Sequence, residues 1–143
     1  MVRRRLNLAQ IVDKYAGKYE DLVIARIDEG KIDPPLKKAT IDRKKSSKTL
    51  IQSTHLLGSV TRKVWVQGNT LGCKVGVFDE TAWYGLVHEF GYPEDKDSTT
   101  WNEDQIIPTR SWLRVPFDQN WEKLSKKIED EIFQATENYV LKR

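Results

Sequence analysis

Behind Asp118 the apolar residues Trp121, Leu124, Ile128, Ile132 and Ala135 recur at three- and four-residue spacing, with no glycine or proline after them. That period is the α-helical one and predicts a helix over 118–141 that lays its apolar stripe on another layer. A second stripe runs through Leu8, Ile11, Val12, Tyr15, Tyr19, Leu22, Val23 and Ala25 to Ile27, with Gly30 as its stop. Asp33-Pro34-Pro35 then forces extended or turn geometry. The short helical stretch that follows, LKKATIDRKKS, has only the thin stripe Leu36, Ala39 and Ile41, so its cations face water.

Between the two long stripes lies the chain's main β signal. VTRKVWVQG and TLGCKVGVF alternate apolar and polar residues and meet through Gln67-Gly68-Asn69, the pattern of a hairpin. Asp79 or Thr81 is placed to cap a helix through TAWYGLVHEF, with Ala82, Leu86 and Phe90 on one face and Gly91 at its end. YPEDKDSTTWNEDQ is acidic and aperiodic, which reads as an exposed loop or arm over 92–105. IPTRSWLRVP gives a short extended segment bounded by prolines. The expected fold is α+β in one domain over 1–143. A small mixed or antiparallel sheet, built from 59–78 and 111–115, is packed by an N-terminal helix over 8–29, a central helix over 81–90 and the long C-terminal helix.

Composition narrows the function classes. A chain of 143 residues with a formal net charge of +3 is balanced overall, so any basic function has to be local. The single cysteine, Cys73, rules out an intrachain disulfide and a Cys-rich zinc site, and its place in an alternating strand reads as buried and structural. No apolar run approaches the roughly 20 residues that cross a bilayer, so no membrane partner is expected and the protein is expected to be made in the cytoplasm.

WYGLVHEFG at 83–91 is the stretch that most resembles chemistry. His88 and Glu89 are adjacent, and neighbours on a helix diverge by about 100°, so the pair does not hold one ion together. A zinc helix needs two histidines at i and i+4; the other histidine, His55, lies far back in sequence. No metal site is expected. The glycines form neither G-x-G-x-x-G nor G-x-x-x-x-G-K-[ST], and no serine occupies a G-x-S-x-G elbow, so no cofactor and no catalytic residue is expected either. The opposing reading is a small hydrolase using His88 and Glu89. Lys37, Lys38, Arg43, Lys44, Lys45 and Lys48 place six cations in twelve residues, enough to track a phosphate backbone but without aromatics for base stacking. Of five tryptophans, Trp101 stands in the polar loop, where it reads either as an anchor against a partner or as a ring folded back onto its own domain.

Three segments together resemble a known family. PLKKATIDRKKSSKTLIQSTHLLGSV at 35–60 is similar to a pattern P-L-x-x-x-T-x-x-x-K leading to K-x-L-I-D-T-G-x-L-x-x-S-I, matched at Pro35, Leu36, Thr40, Lys44, Lys48, Leu50, Ile51, Leu56, Ser59 and Val60. WYGLVHEFG resembles Y-A-x-x-H-E-F-G, and IPTRSWLRV resembles I-P-A-R-P-F-L-R, in the same order. These are the patterns of tailed-phage virion-morphogenesis proteins, the neck and tail-completion group that includes the Mu-like virion morphogenesis protein and lambda minor tail protein Z. The likeness covers about residues 35–141 and leaves out the N-terminal helix and linker at 1–34. Gln52-Ser53-Thr54-His55 replaces the family's Asp-Thr-Gly, and Thr109 and Ser111 replace its small residue and proline.

The resemblance implies a non-enzymatic virion protein of the neck, assembled in the host cytoplasm and forming a ring, expected to be a hexamer. Its partners would be a head connector or stopper on one side and a tail tube or terminator on the other, with genome DNA passing through without sequence preference. The role as terminator at the same junction, and non-specific nucleic-acid binding through Lys37–Lys48, are the alternatives. In this reading Phe90 packs inward and Gly91 supplies a left-handed turn. His88, Glu89, Trp101, Arg110, Trp112 and Arg114 are expected at subunit or partner contacts, and the basic segment at the DNA passage or a ring neighbour.

Overall fold

The computed structural model describes residues 7–48, 50, 55–78, 84–92 and 107–141. They form α1 (Leu8–Glu29), α2 (Lys38–Lys44), α3 (His55–Ser59), β1 (Val60–Gln67), β2 (Thr70–Val77), α4 (Tyr84–Phe90) and α5 (Arg114–Leu141). The fold is α+β, with one antiparallel β1–β2 pair as the sheet among the described residues.

Helix α1 is the hub. Its stripe buries Tyr15, Ala16, Val23 and Ile27, the Asn7 side chain accepts from the Gln10 N–H at 3.3 Å, and Gly30 ends it at φ 69°. A side chain at Gly30 would also meet the Lys48 Cβ at 2.7 Å, so both backbone and space demand glycine there. The hairpin runs in register from Val60↔Val77 to Gln67↔Thr70 and lies across α1. Arg62 on its α1-facing side reaches Asp13 at 2.8 Å and Glu20 at 2.9 Å and fastens sheet to helix. On the other face the Trp65 indole lies over Gly72, where any Cβ would stand 2.3 Å from the ring.

Helix α5 runs antiparallel to α1. Arg26 donates to the Ser111 carbonyl, Tyr19 to the Leu113 carbonyl, and Lys14 and Tyr15 to Glu131, so positions descend on α1 as they rise on α5. The core joins these layers through Val23, Ile27, Ile32, Leu50, Leu56, Val60 and Trp112. The short helix α3, absent from the sequence reading, exists to deliver Leu56, which is fully buried.

Four expectations are corrected. The last helix begins at Arg114, four residues before Asp118, and residues 111–115 do not join the sheet. Pro116 misled the reading: a first-turn proline lacks only an N–H that no helical carbonyl would accept. On α4 the buried positions are Gly85 and Glu89, while Leu86 and Phe90 are 59% and 66% exposed, so Phe90 does not pack inward. Cys73 is exposed, because its strand face opens onto a groove instead of a packed layer. The caps Asp79 and Thr81, residue Ala82 and nearly all of the 92–105 loop, Trp101 included, lie outside the described residues.

Candidate functional site

Glu89 is 6% exposed, and its carboxylate faces the start of α5. One oxygen accepts from the Ser111 hydroxyl at 2.7 Å and the Arg114 N–H at 3.0 Å; the other accepts from the N–H groups of Trp112 at 2.8 Å and Leu113 at 2.9 Å. Ser111 Oγ in turn accepts from the Val115 N–H at 3.3 Å. The first N–H groups of a helix have no helical partner and carry its positive dipole end, so a buried carboxylate is stable here. With four donors on two oxygens, Glu89 has no exposed lone pair directed at a substrate.

Neighbouring backbone is closed around the same point. The Trp112 indole donates to the Gly85 carbonyl at 2.8 Å, and a Cβ on Gly85 would stand 2.8 Å from Leu56. Gly91, at φ 82°, returns the chain so that Tyr92 pairs with Ile107, Thr109 donates to the Phe90 carbonyl, and the Arg110 N–H meets the His88 carbonyl. The segments 84–92 and 107–115 thus form one clasp.

Arg110 is buried and donates to the carbonyls of Pro34 at 2.7 Å and Pro35 at 3.3 Å, tying the clasp to the linker after α1. Beside it, His88 is half-buried and its Nδ1 makes no hydrogen bond. Burial, then the charges of Arg110 and Lys44, push His88 down to about 4, so the ring is neutral at pH 7. Lys44 is itself drawn below its usual value by burial and by Arg110. Tyr19, beneath the clasp, is pushed up to about 12 by burial and by the charges of Glu89 and Asp118.

The site residues read from sequence therefore divide. Glu89, Arg110 and Trp112 are buried and hydrogen-bonded within their own chain. His88 is half-buried, and Arg114 is exposed, paired with Asp118 at 3.3 Å. In the basic segment Lys37, Lys38, Arg43 and Lys45 are exposed along and beside α2. Lys44 is partly buried, its ammonium on the Lys48 carbonyl, and Lys48 turns back to Asp28, so the six cations do not form one surface. Among the described residues no three His, Cys, Asp or Glu side chains gather as a metal site would require.

What the sequence reading missed is an apolar groove of about 370 Å³ between α1, β2 and α5. Tyr15, Cys73, Phe90, Phe117, Trp121 and Ile128 are among its walls. Phe117 stacks on Trp121 with centroids 5.0 Å apart and meets Tyr19 edge-on. Phe90, Phe117 and Trp121 are 66%, 41% and 50% exposed, a contiguous aromatic surface open to solvent. Phe117 lies one turn before Trp121 on the same stripe, ahead of the expected helix start at Asp118, and so falls outside the stripe read from sequence.

Comparison of the chain with protein-family models, with curated proteins and with solved structures finds no match. The family resemblance accordingly rests on the three sequence motifs alone. Among the described residues no helix is long and apolar enough to cross a membrane.

Proposed function

We propose that this chain is a structural virion protein of the phage neck, a head–tail joining or tail-completion protein that forms a ring between head connector and tail tube. The observation that carries the reading is the clasp. The motif residues His88-Glu89-Phe90-Gly91 and Ile107-Pro108-Thr109-Arg110-Ser111-Trp112-Leu113-Arg114 build a rigid joint in which Glu89 is saturated by donors, and they turn Phe90 and Arg114 outward beside an apolar groove. A joint whose carboxylate is taken up by backbone donors, next to an exposed aromatic surface, fits assembly better than hydrolysis.

Support also comes from α5. It is 28 residues long, yet Pro116 is its only buried residue, and helices of this kind owe most of their stability to tertiary packing. A neighbouring subunit supplies that packing. The exposed cations Lys37, Lys38, Arg43 and Lys45 then serve a DNA passage or a ring neighbour through phosphate or carboxylate charge alone. Partner rings above and below, and the choice between completion and terminator roles, follow from which end of the ring docks first.

The test is the particle formed by purified full-length protein. Light scattering and negative-stain microscopy should show a closed ring with an axial opening, and that ring should bind DNA-filled heads and make them competent to accept tails. A strictly monomeric protein that neither binds heads nor alters tail attachment would defeat the proposal.

A further inference from the structure

The β1–β2 hairpin turns one face to α1, where Asp13 and Glu20 hold the Arg62 guanidinium. The alternate residues share its other face: Thr61, Lys63, Trp65 and Gln67 on β1, with Thr70 and Lys74 on β2, all of them exposed. Two features of that face exceed what the hairpin needs. Lys63 stands directly opposite Lys74, which sets the two side chains about 5 Å apart at Cβ. Like charges in that register cost sheet stability, and among the described residues no carboxylate pairs with either lysine. The Lys63 ammonium rests 4.5 Å from the centroid of the Phe78 ring, a contact that leaves its charge unneutralised. One cross-strand pair further on, the Trp65 ring lies flat across Gly72, which covers only one side of it: the residue remains 38% exposed. The sequence around the hairpin carries the same sign, since between Asp42 and Asp79 there is no Asp or Glu but seven Lys and Arg residues.

We propose that this outer face of the hairpin binds single-stranded nucleic acid, with Lys63 and Lys74 on phosphates and the Trp65 ring stacked on a base. Charge selects a polyanion: two opposed lysines in a run without acidic residues gain from an anion lying between them. Trp65 selects among polyanions. An indole held flat by a glycine presents a ready π-face to an unpaired base, which a duplex keeps inside its own stack and an acidic polypeptide does not have. Stacking of this kind accepts any base, so binding without sequence preference is expected. The exposed cations of 37–48 have no such aromatic among them, and the hairpin is therefore a second and different surface. One chain carries the whole contact, so the inference stands whether or not the protein forms a ring.

The test titrates full-length protein into a fluorescein-labelled oligothymidylate of about 12 nucleotides, and into a labelled duplex of the same length, by anisotropy over a range of salt concentrations. Lys63→Gln/Lys74→Gln should lower affinity for the single strand by at least about tenfold and reduce the log–log salt slope by about 1.4, while the melting temperature stays at or above the parent's. Trp65→Leu, which still covers Gly72, should weaken single-strand binding by about fivefold or more with the salt slope and the duplex affinity unchanged. Folded parent protein that does not bind the oligothymidylate at low salt overturns the proposal. So does binding that survives the double lysine change and is lost from Lys37→Gln/Lys38→Gln/Arg43→Gln/Lys45→Gln, which would place the contact on the α2 surface alone. Duplex held as tightly as single strand, with Trp65→Leu neutral, overturns the stacking assignment. Polyglutamate that displaces the oligonucleotide at equal charge concentration makes the partner an acidic protein and overturns the choice of nucleic acid. Rings that fail to bind sink this inference and leave the ring standing; a monomer that binds supports it and counts against the ring.

Discussion

Replacing Glu89 by alanine is expected to be among the most damaging single changes in the chain, although it removes no apolar core. The carboxylate accepts four hydrogen bonds of 2.7 to 3.0 Å, three of them from backbone N–H groups at the start of α5. Bonds to a charged acceptor contribute about 1.5–3 kcal/mol each, but they share one group and part of their sum offsets the cost of burying it. Removing the acceptor leaves donors unsatisfied in a buried place and deletes the favourable charge at the helix end, so the net loss should be about 3–5 kcal/mol. Against a total stability of roughly 5–15 kcal/mol that loss is severe. Glu89→Gln should cost about 1–3 kcal/mol, because its carbonyl keeps some donors while its amide N–H₂ faces the others. Urea unfolding followed by circular dichroism measures both, with exposed Glu129→Ala as a control expected within about 0.5 kcal/mol. If Glu89→Ala and Glu89→Gln both unfold within about 0.5 kcal/mol of the parent, the clasp is not what holds α5 in place, and Glu89 has to be explained otherwise.

Three further outcomes are expected. His88 is held down to about 4 against an ordinary value of 6.5, by burial and then by Arg110 and Lys44. Below pH 6.5 the unfolded chain binds a proton that the folded chain refuses until about pH 4; this stability, full above pH 6.5, is lost as pH falls through that window. About 1–3 kcal/mol is at stake after allowing for the ring's partial exposure, and denaturant titrations should show a slope that His88→Gln removes. Phe90→Ala should change monomer stability by less than about 1 kcal/mol, because the ring is mostly in solvent, while weakening assembly, and a loss near the roughly 3–5 kcal/mol of a buried phenylalanine would show that Phe90 is core after all. Any DNA affinity should fall steeply with salt, and neutralising Lys37, Lys38, Arg43 and Lys45 together should reduce the log–log salt slope by up to about 3–4; filter binding that separates one DNA sequence from another by more than a few-fold would contradict a phosphate-only contact.

The long helices and the hairpin were legible because their signals are periodic and local. Val23 and Ile27 repeat at helical spacing, and Gly68-Asn69 interrupts two alternating runs at the length a hairpin turn requires. Gly30 as a helix stop was legible for the same reason. The clasp was not. Glu89 is buried because the N–H groups that neutralise it come from residues more than twenty positions later, and no window of sequence contains both partners. With Glu89 turned inward, Phe90 lies about 100° further round the helix and is mostly in solvent, opposite to the reading of α4 from sequence. The early start of α5 was hidden by Pro116, although a proline in a helix's first turn removes no helical hydrogen bond. The α5 stripe was read correctly as helical, but periodicity does not say whether a stripe is covered by its own chain or by a neighbour.

The proposed head–tail joining role is tested most directly by electron microscopy of a lysate from a phage that encodes this protein and has its gene deleted. DNA-filled heads and separate tails are expected, with joined particles restored by adding the purified parent protein. Normal, infectious particles in the deletion lysate would contradict it.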